Sequence, residues 1–206
     1  MTQMLSPALA PPAAANFSYE EAFQRNLGIL DTAEQQRLRN CRVAIIGMGG
    51  VGGVHLITLT RLGIGKFTIA DPDTFELANF NRQYGANMRT VGRPKVDVMA
   101  EEARAINPEL DIHTMQAPVD KDNVDEFLDG ADLLVDGVDF FALDARRLVF
   151  AEARRRGLWT ITAGPHAFGS AWMAFDPQGM SFDRFFDFHD DMSDADKIVA
   201  FSVGCV

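Results

Sequence analysis

The 206-residue sequence has few cysteines, no surplus of positive charge and no long apolar run. Its two cysteines, Cys41 and Cys205, cannot supply a four-thiolate zinc site, so we expect no zinc site within this chain. Two thiols also fit a reducing cytoplasm better than a disulfide-stabilised secreted protein. The formal net charge of -10 makes nucleic acid an unlikely partner, because broad nucleic-acid binding needs clustered cations. With neither a membrane-length apolar run nor a basic signal region, the sequence favours a cytoplasmic protein without a membrane partner.

Alanine and proline dominate the first residues, whereas the whole chain has an ordinary globular composition with 47% hydrophobic and 23% charged residues. We expect residues 1–16 to form a disordered tail and residues 17–206 to form one α/β domain. The chain stops at Val206 without a structural stop signal, which suggests that the C-terminal end of this domain is truncated.

Strand-like and helix-like segments alternate along the rest of the chain. Short apolar and β-branched runs predict strands over residues 42–46, 66–71, 111–117, 133–136, 159–163 and 171–175. Helical spacing and capping patterns predict helices over residues 18–30, 32–38, 50–62, 93–107 and 123–128, and another around 141–151. This order predicts a Rossmann-like, doubly wound α/β fold with a mostly parallel sheet and N-terminal helices. The acidic, phenylalanine-rich stretch after Pro177 is expected to be a loop or lid that packs on the core.

A glycine-rich loop, GMGGVG at residues 47–52, stands between a predicted strand and a predicted helix. Glycines there allow a tight turn and a close backbone approach to phosphate, and the helix N-terminus offers N–H donors. Asp71 ends the next predicted strand, where a carboxylate can accept hydrogen bonds from ribose hydroxyls. The pattern predicts nucleotide binding, although such a loop can also serve close helix–strand packing alone. It does not distinguish a nicotinamide-dependent oxidoreductase from an adenylating enzyme.

The polar residues that follow Asp71 favour adenylyl transfer. Arg82 offers a planar fork that suits phosphate, and Lys95 offers a point charge. Such cations stabilise the charge that spreads over phosphoryl oxygens and a leaving pyrophosphate. Asp139, just past the fourth predicted strand, is placed to hold Mg²⁺ beside phosphates. Taken singly, these residues could be surface cations and a helix cap, and an oxidoreductase would leave them without a task.

The ordered set GMGGVG, DPDTFELANFNRQ, GRPK and DGVD resembles the ThiF/MoeB/HesA family, which includes the catalytic domains of ubiquitin-activating enzymes. The resemblance covers roughly residues 25–177. It implies ATP- and Mg²⁺-dependent adenylation of a carboxylate, most simply the C-terminal glycine of a ubiquitin-like or sulfur-carrier protein, by a homodimer. Adenylation of a tRNA-borne or small-peptide carboxylate, a nicotinamide-dependent oxidoreductase and an inactive scaffold remain alternatives.

The resemblance also implies a role for each matching residue. The implied nucleotide-binding residues are Gly47, Gly49, Gly50, Gly52, Asp71, Asp73, Asn79 and Gln83. The implied catalytic residues are Arg82, Lys95, the Mg²⁺ ligand Asp139 and, reaching from the other subunit, Arg25. Cys205 is a possible acyl-accepting thiol, although a lone cysteine near a chain end is more often inert. The chain departs from the family pattern at Phe140, where Asn or Ser is common, and at Asn26, where Gln is common; paired Cys-x-x-Cys motifs are absent.

Overall fold

Six strands form the single sheet of the computed structural model, which describes residues 16–166 and 168–205. The strands are β1 (Arg42–Ile46), β2 (Lys66–Ala70), β3 (Asp111–Met115), β4 (Leu133–Asp136), β5 (Trp159–His166) and β6 (Gly169–Phe175). Their order is β3-β2-β1-β4-β5-β6, with β1 to β5 parallel and β6 antiparallel to β5. The direction of winding reverses between β1 and β4, as in other doubly wound sheets. The predicted Rossmann-like fold is therefore confirmed, and the predicted tail lies almost wholly outside the described residues.

Helices cover both faces of this sheet. They are α1 (Tyr19–Ala22), α2 (Thr32–Asn40), α3 (Gly52–Leu62), α4 (Lys95–Ile106), α5 (Val124–Phe127), α6 (Leu143–Arg155), α7 (Phe182–Phe185) and α8 (Asp194–Gly204). Over the described ranges, no helix is both long and apolar enough to cross a membrane.

Strand β1 shows why the core has two layers. Its side chains alternate between the sheet faces, so Val43 and Ile45 join one apolar cluster while Ala44 and Ile46 join the other. The first cluster packs against α3 and α4, and the second packs against α5 to α8. Because both faces of β1 are buried, its apolar run is continuous, as expected for a central parallel strand.

The predicted helix over residues 18–30 is wrong beyond its first turn. Ser18 does cap α1, because its side chain accepts a hydrogen bond from the Glu21 N–H. The helix then gives way to a 3-10 turn at Gln24–Asn26, and Gly28 adopts a left-handed conformation with φ of 110°. Asn26 donates instead to the Leu62 carbonyl at the end of α3. This tertiary contact replaces the helical continuation that local propensity favoured.

The segment after Pro177, expected to be a loop or lid, contains the short helix α7 and the longer helix α8, with irregular backbone between them over residues 186–193. Phe182 of α7, Phe201 of α8, and Phe186 and Phe188 between the two helices join the second apolar cluster, where all are buried. Ser181 and Ser193 cap these helices by accepting hydrogen bonds from N–H groups in their first turns. The prediction of core packing for these aromatic residues holds for most of them, whereas Phe185 remains partly exposed.

Candidate active site

A cavity of about 750 Å³ opens where the winding of the sheet reverses. The strand register places Ile46 of β1 beside Ala70 of β2 and Asp136 of β4, so the carboxyl ends of three strands are level there. Doubly wound sheets bind their ligands at this position. The volume is in the range of small-molecule sites.

Most of the predicted site residues line this cavity. They are Gly47, Gly49, Gly50, Asp71, Asp73, Arg82, Gln83, Lys95, Asp139 and Cys205. Three others do not line it. Gly52 lies in the first turn of α3, and Asn79 is buried with its side-chain oxygen accepting from the Glu76 N–H at 2.9 Å. Arg25 is exposed in the N-terminal 3-10 turn and is not among the lining residues.

At the glycine loop, three stretches of backbone come into close contact. Gly47 is in the left-handed region with φ of 86°, and a side chain there would overlap the Gly137 carbonyl. A Cβ on Gly52 would overlap the Gly47 carbonyl, and one on Gly137 would lie 2.8 Å from the Gly52 backbone nitrogen. These three glycines therefore bring β1, α3 and the end of β4 together. In contrast, a Cβ on Gly49 would meet only the Gln83 amide, at 3.6 Å, so space beside Gly49 is open.

Asp71 fastens the glycine loop to the end of β2. Its carboxylate accepts hydrogen bonds from the backbone N–H groups of Met48, at 2.6 Å, and Asp73, at 2.8 Å. Burial raises the pKa of Asp71, and these two hydrogen bonds and the nearby Lys95 cation partly offset the increase. An ionised carboxylate has about four lone-pair sites, so both oxygens keep acceptor capacity on the cavity side.

Lys95 and Arg82 make one wall of the cavity cationic. Lys95 begins α4, its side chain is only 7% exposed, and its Nζ lies 2.9 Å from an oxygen of Asp73, which is itself 65% exposed. A buried cation at a helix N-terminus opposes the helix dipole, and one exposed carboxylate compensates it only in part. Arg82 is exposed and donates to the Ala78 carbonyl at 2.9 Å. An anionic ligand would therefore relieve the electrostatics of this wall.

Asp139 presents an exposed carboxylate to the cavity from the loop after β4. One of its oxygens accepts from the Phe141 N–H at 3.0 Å, while α6 begins only at Leu143 and has Ala142 as its N-cap. Asp139 therefore does not cap that helix. Across the residues that the structure describes, no three His, Cys, Asp or Glu side chains form a metal-binding group by themselves. One carboxylate still suits Mg²⁺, because phosphate oxygens and water complete its coordination in nucleotide sites.

A buried ion pair beneath this loop was missed by the sequence analysis. Arg146 of α6 donates from Nε to Asp136 Oδ2 at 2.7 Å, and Thr162 donates its hydroxyl to the same oxygen at 2.8 Å. The other Asp136 oxygen accepts from the Val138 N–H at 2.9 Å. A signal was available: Arg146 lies at helical spacing between Leu143 and the apolar positions that follow, where a charged residue must find a buried partner.

Gln83 and Cys205 complete the polar lining. The Gln83 side chain is buried, and its Oε1 has no hydrogen-bond partner among the described residues. Cys205 is a free thiol at the end of α8, and burial raises its pKa, with a smaller opposing effect from Arg146. A raised pKa favours the thiol over the nucleophilic thiolate, so the cavity as it stands does not activate Cys205.

The sheet order, the glycine loop and the polar cavity define a nucleotide-binding protein of the Rossmann type. The sequence profile described as "ThiF family" matches residues 23–204. The chain belongs to the ThiF family, which confirms the family resemblance of its motifs.

Two curated relatives and one solved structure illustrate this membership. The tRNA threonylcarbamoyladenosine dehydratase of Haemophilus influenzae is 32% identical over 146 residues, covering 70% of this chain and 56% of that protein. The molybdopterin-synthase adenylyltransferase of Salmonella typhimurium is 32% identical over 129 residues, covering 61% of this chain and 52% of that protein. The E. coli tRNA N6-threonylcarbamoyladenosine dehydratase in complex with ATP superimposes with a TM-score of 0.66 at 30% identity, covering 69% of this chain and 58% of that one. The chain spans about half the length of the curated relatives it matches.

Proposed function

We propose that this chain binds ATP with Mg²⁺ in the cavity and adenylates a carboxylate, releasing pyrophosphate. One observation carries the proposal: the glycine loop, an acidic residue at the end of β2, two cations and a second carboxylate all line one cavity at the reversal of the sheet. The solved relative with bound ATP supports the choice of nucleotide. Family membership favours adenylation over a nicotinamide-dependent oxidoreductase, which would leave the cations and Asp139 without a task.

The donors of the glycine loop suit the phosphates of ATP. Among the described residues, the N–H groups of Gly49, Gly50 and Val51 have no hydrogen-bond acceptor. They stand at the N-terminus of α3, which favours an anion. Asp71, held by the loop backbone, is placed to accept hydrogen bonds from ribose hydroxyls.

The cationic wall suits the triphosphate and the charge that develops during transfer. In this proposal, Lys95 exchanges its exposed partner Asp73 for phosphate oxygens, and Arg82 turns from the Ala78 carbonyl toward them. Gln83, whose Nε2 is the side-chain atom nearest Gly49, can donate its amide N–H groups to a phosphate oxygen. Cations placed beside the phosphates stabilise the charge that develops in the transition state more than they stabilise ground-state ATP.

Mg²⁺ would be held by Asp139 together with phosphate oxygens. When bound, the ion neutralises phosphate charge and orients the leaving pyrophosphate. The carboxylate substrate attacks the α-phosphate, the bond from that phosphorus to the bridging oxygen breaks, and pyrophosphate leaves with the electron pair. The substrate is ionised at neutral pH, so the chain needs no strong general base.

The substrate that we favour is the C-terminal glycine of a ubiquitin-like or sulfur-carrier protein. A carrier's extended tail would bring its carboxylate to the α-phosphate inside the cavity, which Cys205 also lines. The molybdopterin-synthase adenylyltransferase is a relative whose name gives a protein as its substrate. We further propose a homodimer, in which the exposed Arg25 reaches the partner's ATP.

A tRNA-borne carboxylate is the second candidate. It is supported by two dehydratase relatives whose names include a tRNA nucleoside. The net charge of -10 weighs against it, because nucleic-acid binding requires a local surplus of cations.

ATP–pyrophosphate exchange tests both candidates. Wild type, Asp139→Asn and a matched control, Asp129→Asn at an exposed site outside the cavity, would be assayed with carriers ending in Gly-Gly and with carboxylate-modified tRNA. We expect exchange with one carrier, its loss in Asp139→Asn and its retention in Asp129→Asn. Exchange only with tRNA would favour the second candidate. Absence of ATP binding would overturn adenylation altogether.

A further inference from the structure

Arg146 and Phe201 contact the loop that carries Asp139, and both side chains also line the cavity. We propose that they are positioning residues, which fix the direction of the Asp139 carboxylate into the cavity and so set how well Mg²⁺ is held with ATP. The inference rests on the proposed function of the cavity. It adds a role for the C-terminal helix α8, to which Phe201 belongs.

Asp139 depends on its backbone for orientation. Its side chain is exposed and has a single internal hydrogen bond among the described residues, from the Phe141 N–H two positions along the chain. That bond links the carboxylate to its own loop and leaves the loop as a whole free to shift. The direction of Asp139 is therefore decided by what holds residues 137–140.

The Arg146 guanidinium holds this loop on both sides of Asp139. It donates from Nη2 to the Val138 carbonyl at 2.7 Å and from Nη1 to the Phe140 carbonyl at 3.5 Å. Its Nε is fixed by Asp136, which also accepts from the Val138 N–H. One planar, buried group thus connects the end of β4 with the residues before and after Asp139. A lysine would keep the charge and lose this fork.

Phe201 packs against both the Arg146 guanidinium and the ring of Phe140. Its ring centroid lies 4.8 Å from the guanidinium carbon of Arg146 and 5.1 Å from the ring centroid of Phe140. Phe140 directly follows Asp139, so this aromatic pair links the Asp139 loop to α8. Phe201 is only 4% exposed and covers the face of the Arg146 guanidinium that it contacts. Water is excluded from that face, so it does not compete for the hydrogen bonds of Arg146.

The buried aromatic cluster provides a matched control. Phe188 is 6% exposed, belongs to the same apolar cluster and lies 5.8 Å from a guanidinium, but that guanidinium belongs to Arg147, which pairs with Asp183 of α7. Phe201→Leu and Phe188→Leu remove similar ring contacts. Only the first removes a contact with the Asp139 loop.

The test is the affinity for ATP measured by calorimetry with and without Mg²⁺, for wild type, Asp139→Asn, Arg146→Lys, Phe201→Leu and Phe188→Leu. Thermal unfolding of each variant reports its stability. We expect Arg146→Lys and Phe201→Leu to lower the Mg²⁺-dependent part of ATP affinity about 10-fold, as is typical when the support of a metal ligand is removed. ATP affinity without Mg²⁺ should remain that of wild type, and Phe188→Leu should match wild type in both conditions.

The outcomes separate this inference from the proposed function. If Asp139→Asn abolishes the Mg²⁺ effect while Phe201→Leu and Arg146→Lys keep it, the positioning role is wrong and the proposed function stands. If wild type binds no ATP, or Asp139→Asn keeps the Mg²⁺ effect, the proposed function is wrong, and the positioning role is wrong with it. Should Arg146→Lys fail to fold, Phe201→Leu decides alone. An equal loss in Phe188→Leu would mean general loosening of the cluster and would also overturn the inference.

Discussion

Replacing Gly52 by alanine should destabilise the protein, whereas the same change at the adjacent Gly53 should not. At Gly52 a Cβ would lie 2.9 Å from the Gly47 carbonyl carbon and closer still to its oxygen. These are backbone atoms of the loop and cannot move aside cheaply. At Gly53 the nearest atoms would be the Met48 carbonyl oxygen at 3.4 Å and the end of the flexible Met99 side chain at 3.5 Å, which is ordinary contact.

The magnitude follows from these distances. Overpacking a rigid site costs about 3 kcal/mol at the upper end of its usual range. For a domain of this size, such a loss lowers the melting temperature by about 6–12 °C. At Gly53 the contact is tolerable and alanine is the better helix former, so stability should stay level or rise by up to about 1 kcal/mol.

Thermal and urea unfolding of Gly52→Ala, Gly53→Ala and Gly49→Ala would test this reasoning. Gly49→Ala should unfold like wild type, since a Cβ there meets only the Gln83 amide at 3.6 Å. It should nevertheless bind ATP poorly, because the methyl group occupies the open space that we assign to phosphate. If Gly52→Ala is as stable as Gly53→Ala, the three-backbone contact does not restrict the loop. If Gly49→Ala binds ATP normally, the phosphates lie elsewhere.

Two further changes test separate parts of the site, and a labelling experiment tests a thiol outside it. Lys95→Met should weaken ATP binding about 10- to 100-fold, because a charge-assisted hydrogen bond contributes about 1.5–3 kcal/mol; calorimetry with ATP and AMP checks this, and unchanged ATP affinity would exclude a phosphate contact. Asp136→Asn should lower the free energy of unfolding by about 3–5 kcal/mol, since it leaves the buried Arg146 cation uncompensated; an unchanged urea midpoint would contradict this. Burial, and to a lesser extent Asp132, raises the pKa of Cys41 from its ordinary 9.0 to about 11. Below the pKa, the thiolate fraction of a thiol rises tenfold per pH unit. In a variant without Cys205, iodoacetamide at pH 8 should therefore alkylate Cys41 about 100-fold more slowly than it alkylates a free thiol. Labelling at the free-thiol rate would refute the raised pKa.

The glycine loop and its surroundings were open to prediction because their chemistry is local in sequence. A strand, a GMGGVG turn and a helix follow one another without interruption, so the pattern itself predicts a phosphate-binding turn. Asp71 and Asp139 come directly after strands, and parallel strands end at one edge of the sheet. The residues on that edge could therefore be brought together from the element order alone.

The two departures from prediction both involve long-range contacts. The helix expected over residues 18–30 is cut short where Asn26 binds the end of α3, a partner 36 residues away in the chain. The acidic stretch after Pro177 has few helical signals, yet its phenylalanines fill the second face of the sheet and its serines cap two helices. Propensity alone does not reveal such burial, because the surface that receives these rings exists only once the sheet has formed.

Strand and helix periods, glycines and ordered polar residues are local features, so the doubly wound fold, the family and the place of a nucleotide site could be predicted before folding. The packing of Gly52 against the Gly47 backbone, and the hydrogen bond of Asn79 within its own turn, became visible only in the folded chain. Only there do Asp136, Arg146 and Phe201 meet beside the loop of Asp139. These groups lie on separate elements, so the partner of a buried charge such as Arg146 cannot be identified until the folded structure is known.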